Sequence, residues 1–258
     1  MTDTHIFGQD FSGRTALVTG AASGIGAACA KALAARGCSK LFLNDVNAEG
    51  IAALSLDCDV VPVIGSVADE GLWDALQPQL SGLDHAVVNA GIGGFGAVAD
   101  LEFTEWRRVM DINLDGAFLT LRAALRAIKA NGKDSGGSAV ITASSTGIKP
   151  VPMIGPYGPA KAAVAHMARI AAMENAADNI RVNAIAPGGV DTAIWEGGED
   201  FNRSVEAIGR DKTIARMAKT TPLARFASSE EIADNILHLL KDANITGHVL
   251  VTDGGFTL

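Results

Sequence analysis

The sequence predicts one α/β domain over residues 1–258: a doubly wound parallel sheet of about seven strands with helices on both faces. Short apolar runs of four to seven residues alternate with longer stretches whose apolar positions recur every three or four residues, the patterns of buried strands and of the helices that cover them. The alternation continues along nearly the whole chain, with no repeat, linker or low-complexity stretch, so one core is expected. A composition of 48% apolar and 19% charged residues excludes a disordered chain.

Residues 14–19 (RTALVT) are the first strand. A glycine-rich turn follows, then an alanine-rich helix over 24–36 with Gly37 as its cap. Residues 40–44 (KLFLN) are the second strand and lead to Asp45. Residues 60–64 (VVPVI) are the third, and Pro62, lacking a backbone donor, predicts an edge or end position. Residues 69–80 read as helix and 84–89 (DHAVVN) as the fourth strand. One long helix is expected over 104–130, with Thr104 as N-cap and Leu114, Phe118, Leu121 and Leu125 on one face. After a turn over 131–137, residues 138–144 (SAVITAS) are the fifth strand. A second long helix spans 155–177, the sixth strand lies within 179–186, and 248–252 (HVLVT) is a seventh after a helix through 230–240. The stretch 188–221 reads as an irregular, substrate-covering loop, longer than an ordinary strand-to-helix connection.

Lys plus Arg total 21 against 29 Asp plus Glu, a net charge of −8 with no basic tract. Nonspecific grip on nucleic acid or an anionic membrane is therefore not expected. Cys29, Cys38 and Cys58 have no CxxC spacing and are too few for a disulfide framework, which points to a reducing compartment. The start, MTDTHIFGQDF, lacks the layout of a secretion signal, and no run of 18 apolar residues could span a bilayer. A cytoplasmic location follows. His5, His85, His166, His238 and His248 form no HExxH-type cluster, so no metal site is expected.

Residues 19–26 read TGAASGIG between the first strand and the first helix. Gly20, Gly24 and Gly26 let the backbone turn tightly and approach a pyrophosphate. The helix start through Ser23, Gly24 and Ile25 presents unpaired N–H groups and a positive dipole end. Glycines alone would equally serve a plain turn. The position after the first strand, with an acid after the second, favours a dinucleotide. Asp45 follows Gly20 by 25 residues. Its carboxylate suits both ribose hydroxyls of NAD and repels the 2′-phosphate of NADP, although an aspartate here could also cap a turn. No Arg or Lys lies in 19–26 or directly after Asp45, so NAD is the expected cofactor. Asn89, Ala90 and Gly91 end the fourth strand and should line a Rossmann-like crevice. Pro187, Gly188, the Val190 backbone and the Thr192 hydroxyl are candidate partners for a nicotinamide carboxamide, and Thr192 could instead cap a helix.

Tyr157, the only tyrosine, precedes Lys161 by four residues, so both share one helical face. A phenol with pKa near 10 is a poor base at neutral pH, but a nearby cation favours its phenolate, and an oxidised nicotinamide adds a second positive charge. Ser144, 13 residues before Tyr157, ends the strand beside that helix. Strand alternation turns Ser145 the other way. Tyr157 and Lys161 alone could be routine residues of a solvated face.

Taken together, these residues resemble the short-chain dehydrogenase/reductase family in its short single-domain form, over nearly the entire chain. TGAASGIG matches the glycine-rich motif, Asn89 to Gly91 the NAG motif, Asn113 in VMDINLDG the catalytic-helix asparagine, Ser144 in ITASSTG the serine, Tyr157 and Lys161 in YGPAK the YxxxK pair, and Pro187-Gly188 with Thr192 the PG segment. The resemblance implies reversible hydride transfer between NAD and a secondary alcohol or ketone. Tyr157 takes the hydroxyl proton and Ser144 hydrogen-bonds the same oxygen. Lys161 lowers the Tyr157 pKa and holds the nicotinamide ribose, and Asn113 fixes a water leading from Lys161 to solvent. It also implies a homotetramer or homodimer built on the two long helices and the C-terminal strand. Two departures stand out. Ser66, before Val67, occupies a place where the family often has an aspartate against adenine, and Val88 begins VNAG where NNAG is common.

The expected substrate-flanking segments, 93–95, Ile148, 150–154 and Ile194-Trp195, are mostly apolar, with Lys149 the nearest basic residue. Apolar or ring-containing alcohols and ketones fit better than sugar phosphates or acyl groups on an anionic carrier. Three rival readings are an NADPH-dependent 3-oxoacyl thioester reductase, disfavoured by Asp45 and the acidic total, a catalytically idle NAD-binding regulatory protein, and an isomerase acting through a transient ketone.

Overall fold

The computed structural model describes residues 10–258; His5 and the rest of the N-terminal run through Gln9 lie outside the described residues. Its strands are β1 (Thr15–Thr19), β2 (Lys40–Asp45), β3 (Asp59–Ile64), β4 (His85–Val88), β5 (Gly137–Thr142), β6 (Ile180–Pro187) and β7 (Val249–Thr252). Its helices are α1 (Gly24–Ala35), α2 (Ala48–Ala52), α3 (Glu70–Leu76), α4 (Phe103–Met110), α5 (Gly116–Ala130), α6 (Tyr157–Asn175), α7 (Glu199–Ile208), α8 (Arg210–Ala218) and α9 (Ser229–Lys241). All seven strands are parallel in one sheet of order β3-β2-β1-β4-β5-β6-β7. The chain runs outward from β1 to β3, then returns to β4 on the other side of β1. This reversal opens a crevice at the carboxyl ends of the strands.

Strand alternation divides the core into two layers. Leu17, Phe42, Ala86 and Ile141 face α3, α5 and α6, meeting Trp73, Leu121, Ile128 and Val164. Val18, Leu43, Val87 and Val140 face α1 and α9, meeting Cys29, Leu33, Ile236 and Leu240. Each fully buried Leu or Ile contributes about 2 kcal/mol. The small residues of α1 let it lie close to α9, whose start is fixed by a capping box between Ser228 and Glu231. Pro62 pairs with Leu43 on β3, the edge strand, where a missing donor is tolerated.

Three expectations need correction. First, the helix over 104–130 starts at Phe103 with Glu102 at the N-cap, so Thr104 lies inside the first turn and caps nothing. The same helix widens at residues 111–115 into a π turn, where Gly116 N–H reaches the Asp111 carbonyl five residues back. Asn113 Nδ2 then donates to the Val109 carbonyl at 3.0 Å, filling an acceptor that regular helical pairing would have used. Second, β5 ends at Thr142, and Ser144 stands beyond it in extended backbone, capping a 3₁₀ turn over Ser145–Gly147. Third, the stretch 188–221 is largely helical, with a 3₁₀ turn at Ala193–Gly197 followed by α7 and α8. These two helices meet through polar groups, Ser204 Oγ to Thr213 Oγ1 at 2.7 Å and Arg216 to Ser204 Oγ at 2.6 Å.

Cys29, Cys38 and Cys58 are free thiols. Among the described residues no helix is long and apolar enough to cross a membrane, and no cluster of His, Cys, Asp and Glu could hold a metal.

Candidate active site

A cleft of about 820 Å³ opens at the carboxyl ends of the strands. Gly20, Ser23, Gly24, Ile25, Asp45, Ser66 and Val67 line one end. Asn89, Ala90, Gly91, Pro187, Gly188, Val190 and Thr192 line the middle, and Ser144, Tyr157 and Lys161 the other end. Two of the candidate residues stand behind its wall. A Cβ on Gly26 would fall 2.0 Å from the Gly20 carbonyl oxygen, so Gly26 shapes the strand-to-helix turn from beneath. Asn113 is fully buried.

At the first end, Asp45 Oδ2 accepts from the Ala22 N–H and Oδ1 from the Asn47 N–H, each at 3.0 Å. Asp45 therefore both organises its turn and faces the cleft. Its neighbour Asn44 donates through Nδ2 to the Val63 and Gly65 carbonyls, pinning the segment that carries Ser66, while Asn44 Oδ1 is buried without a partner. Ser66 Oγ accepts from the Ala68 N–H at 3.2 Å. Arg108 and Lys161 are the cations lining the cleft, and both belong to its other half. Asn89 knits the sheet: its N–H donates to Thr19 Oγ1, its Nδ2 to the Thr19 carbonyl, and its Oδ1 accepts from Thr142.

At the far end, α6 begins at Tyr157 and sets Lys161 one turn later. The Lys161 ammonium donates to the Thr142 carbonyl at 2.9 Å and is 3% exposed. Burial pushes the Tyr157 phenol up to about 12, against a partial lowering by the Ser144 hydroxyl. Burial likewise brings Lys161 down to about 8. Desolvation is the larger influence on the phenol, and the Ser144 hydroxyl works against it. Ser144 Oγ accepts from the Thr146 N–H at 3.2 Å and lies 2.9 Å from Thr146 Oγ1. Ser145 also reaches the cleft, because the chain has left the strand and alternation no longer applies.

Asn113 grips the backbone beside this end. Its Nδ2 donates to the Ile92 and Val109 carbonyls, and its Oδ1 accepts from the Ile92 N–H at 3.3 Å. Both side-chain donors are thereby used on backbone. Gly91 lies between the two: a Cβ there would be 2.7 Å from Asn113 Oδ1 and 3.3 Å from Lys161 Nζ.

The outer wall is apolar and partly unexpected. Phe95, Val151, Ile154, Ile194 and Trp195 line the cleft as the sequence implied, whereas Ile148, Pro150, Pro152 and Met153 face a separate groove of about 490 Å³. Phe226, Phe256, Thr146 and Arg108 were not anticipated. Phe226 stacks on Trp195 with ring centroids 5.7 Å apart, and Trp195 Nε1 donates to the Val190 carbonyl at 2.8 Å. Lys149 donates to the Phe256 carbonyl at 2.6 Å, which anchors the C-terminal segment against the wall. Arg108 is paired with both Glu105 carboxylate oxygens at 2.7 and 2.8 Å. Arg210 of α8 bonds Asp191, Glu196 and the Thr192 carbonyl, tying α8 to the loop after β6.

A family model described as enoyl-(acyl carrier protein) reductase matches residues 20–257. Cis-4-hydroxycyclohexanecarboxylate dehydrogenase of Sinomonas cyclohexanicum is 38% identical, over 97% of this chain and 99% of its own. Cyclohexanol dehydrogenase of an Acinetobacter species (strain SE19) is 32% identical over 98% of both. Among solved structures, levodione reductase is 31% identical with a TM-score of 0.85, over 96% of this chain and 98% of its own. A short-chain type dehydrogenase/reductase from Mycobacterium marinum is 32% identical with a TM-score of 0.81, over 96% and 97%.

Proposed function

The chain belongs to the short-chain dehydrogenase/reductase family, and from that premise we propose that it oxidises an apolar, ring-bearing secondary alcohol, or reduces the matching ketone, with NAD(H). The observation that carries this reading is the convergence of Ser144, Tyr157 and Lys161 at one end of a cleft whose other end presents Asp45.

The nucleotide half fits a dinucleotide. The turn at Gly20 and the start of α1 offer backbone N–H groups for a pyrophosphate. Asp45 suits ribose hydroxyls, the unpartnered Asn44 Oδ1 waits beside it, and the cations of the cleft lie in its other half. That charge pattern supports NAD over NADP and counts against an NADPH-dependent acyl thioester reductase. Ser66, Val67 and Asn89 to Gly91 line the adenosine-to-nicotinamide path, and the Val190 backbone and Thr192 hydroxyl hold the carboxamide.

When bound, the cofactor accepts or donates the hydride. Tyr157 Oη exchanges the proton with the substrate oxygen, and Ser144 Oγ donates a hydrogen bond to that same oxygen as its charge develops. At neutral pH the phenol holds its proton, ready for ketone reduction, so alcohol oxidation should gain as pH rises. Lys161 keeps a positive charge close to the phenol and supports its ionised form. Asn113 fixes the backbone after Gly91 and thereby the wall against which Lys161 rests. Phe95, Trp195 and Phe226 form a dry surface suited to a saturated or flat ring. The cyclohexane-based substrates named for the similar dehydrogenases support this class.

The single domain carries residues 188–221 as its substrate cover. Phe118 on α5 and Ile170 and Met173 on α6 expose apolar surface, supporting a homotetramer or homodimer, and the free thiols suit a cytoplasmic setting.

The test is a fluorescence titration with NADH and NADPH, followed by a panel of cyclic alcohols and ketones read at the nicotinamide absorbance. Tighter NADH binding is expected, with turnover reduced about 10²- to 10⁴-fold in Tyr157→Phe. Preferential NADPH binding, or full activity in Tyr157→Phe, would overturn the reading.

A further inference from the structure

The Ser144 hydroxyl has one proton and two lone pairs, so its hydrogen bonds can be counted. One lone pair takes the Thr146 N–H at 3.2 Å. Thr146 Oγ1 lies 2.9 Å away, a distance at which one of the two hydroxyls must donate to the other. In the reading above, Ser144 donates its one proton to the reacting oxygen, in keeping with its lowering influence on the neighbouring phenol. With its single proton turned to the cleft, Ser144 can only accept from Thr146.

We infer that Thr146 is a positioning residue: its backbone N–H and its hydroxyl fill both Ser144 lone pairs, leaving the Ser144 proton one direction, toward the reacting oxygen. This rests on the reading of Ser144 and Tyr157 given above. Thr146 Oγ1 has no other hydrogen-bond partner among the described residues. Its place is fixed by the 3₁₀ turn over Ser145–Gly147, which packs on α6 so closely that a Cβ on Gly147 would meet the Ala162 nitrogen at 2.7 Å. The helix carrying Tyr157 and Lys161 therefore also carries the turn that aims Ser144. Asp45, Arg108, Tyr157 and Lys161 are the ionisable side chains lining this cleft. Of these, Tyr157 is the one acted on by Ser144.

The experiment compares wild type, Thr146→Val, Thr146→Ser and Ser144→Ala. It reads kcat for cyclohexanol oxidation against pH, and the ultraviolet absorbance of the phenolate in the cofactor-free protein. Because Tyr157 is the only tyrosine, that absorbance follows its ionisation alone. Thr146→Val keeps the size and removes the donor, so kcat should fall about fivefold. Its rising pH limb and phenolate onset should both move to higher pH, with the KM for NAD unchanged. Thr146→Ser restores the donor and should restore all three. Equal behaviour of the valine and serine variants, or a rate loss with no shift in phenolate onset, would overturn the assignment. If Ser144→Ala also leaves the onset and the rate unchanged, the fault lies with the broader reading of Ser144. If Ser144→Ala moves both and Thr146→Val moves neither, only the role of Thr146 fails.

Discussion

The Lys161 ammonium lies 5.6 Å from the centroid of the Tyr157 ring and is bonded to the Thr142 carbonyl at 2.9 Å, with the lysine buried and the tyrosine half-buried on the first turns of α6. Burial moves each toward its neutral form, the phenol up to about 12 and the amine down to about 8. The site is thus held at a cost to the fold, as expected where chemistry and stability compete.

A pH dependence follows from Lys161. Its ordinary value is 10.5 and its folded value about 8, so between these the unfolded chain binds more protons. Stability of the cofactor-free protein should rise across that window and then fall as pH climbs from 10 toward 12, where Tyr157 keeps its proton only when folded. At pH 7 the buried charge costs about 3 kcal/mol. Lys161→Met removes that cost but orphans the Thr142 carbonyl, at about 1 kcal/mol. The variant should melt about 4–8 °C higher at pH 7, lack the rise above pH 8, and lose turnover. Calorimetry over a pH series checks all three.

Gly91→Ala tests the spacing between Asn113 and Lys161. The added methyl would meet atoms at 2.7 and 3.3 Å, and overpacking of this kind costs about 1–3 kcal/mol. We expect a lower Tm and a kcat reduced more than tenfold, since displacement of Lys161 disturbs the proton-handling end. A variant with wild-type kcat would show that the wall can yield.

Asp45→Ala should remove the negative charge at the ribose. The kcat/KM with NAD is expected to fall about tenfold or more, and that with NADP to rise, as a like-charge repulsion is removed. The two backbone N–H groups now bonded to Asp45 turn to solvent or ligand. Steady-state kinetics with both cofactors gives the ratio directly, and an unchanged ratio would remove Asp45 as the discriminator.

Arg210→Gln should loosen the cover. The guanidinium of wild type joins Asp191, Glu196 and the Thr192 carbonyl and lies 5.5 Å from the Phe201 ring. Its loss should raise the substrate KM severalfold with a smaller change in kcat, and speed proteolysis within residues 199–218. High salt should move wild type the same way, because these pairs are partly exposed.

Much of the sheet was legible because central parallel strands are continuous buried runs: LVT of β1, FLN of β2 and AVV of β4 announce themselves without a partner. Pro62 even located the edge. The nucleotide turn was legible because it is local, with Gly20, Gly26 and the helix start all within eight residues. The widened turn at Asn113 was not, since one extra residue hardly disturbs a pattern of spacing three or four. Thr104 looked like a cap because its hydroxyl type is favoured there, yet Glu102 stands one residue before the helix. The helices α7 and α8 were missed although Phe201, Val205 and Ile208 recur at helical spacing, because Gly198 and Gly209 cut the stretch into short, highly charged pieces. Phe226 and Phe256 reach the cleft only through tertiary folding from opposite sides of α9, and no nearby sequence feature signals their destination.

The π turn at residues 111–115 acts as a phase shift. One residue of the helix is surplus there, so α4 and α5 are rotated by about 100° relative to an uninterrupted helix. That offset aims Arg108 at the cleft rim while Asn113 stays inside with Gly91 and Ile92. Deleting a single residue would leave a regular helix and swing the rim away from the mouth. A substitution at the entrance leaves this offset in place, whereas an insertion or deletion between α4 and α5 turns the rim against the interior.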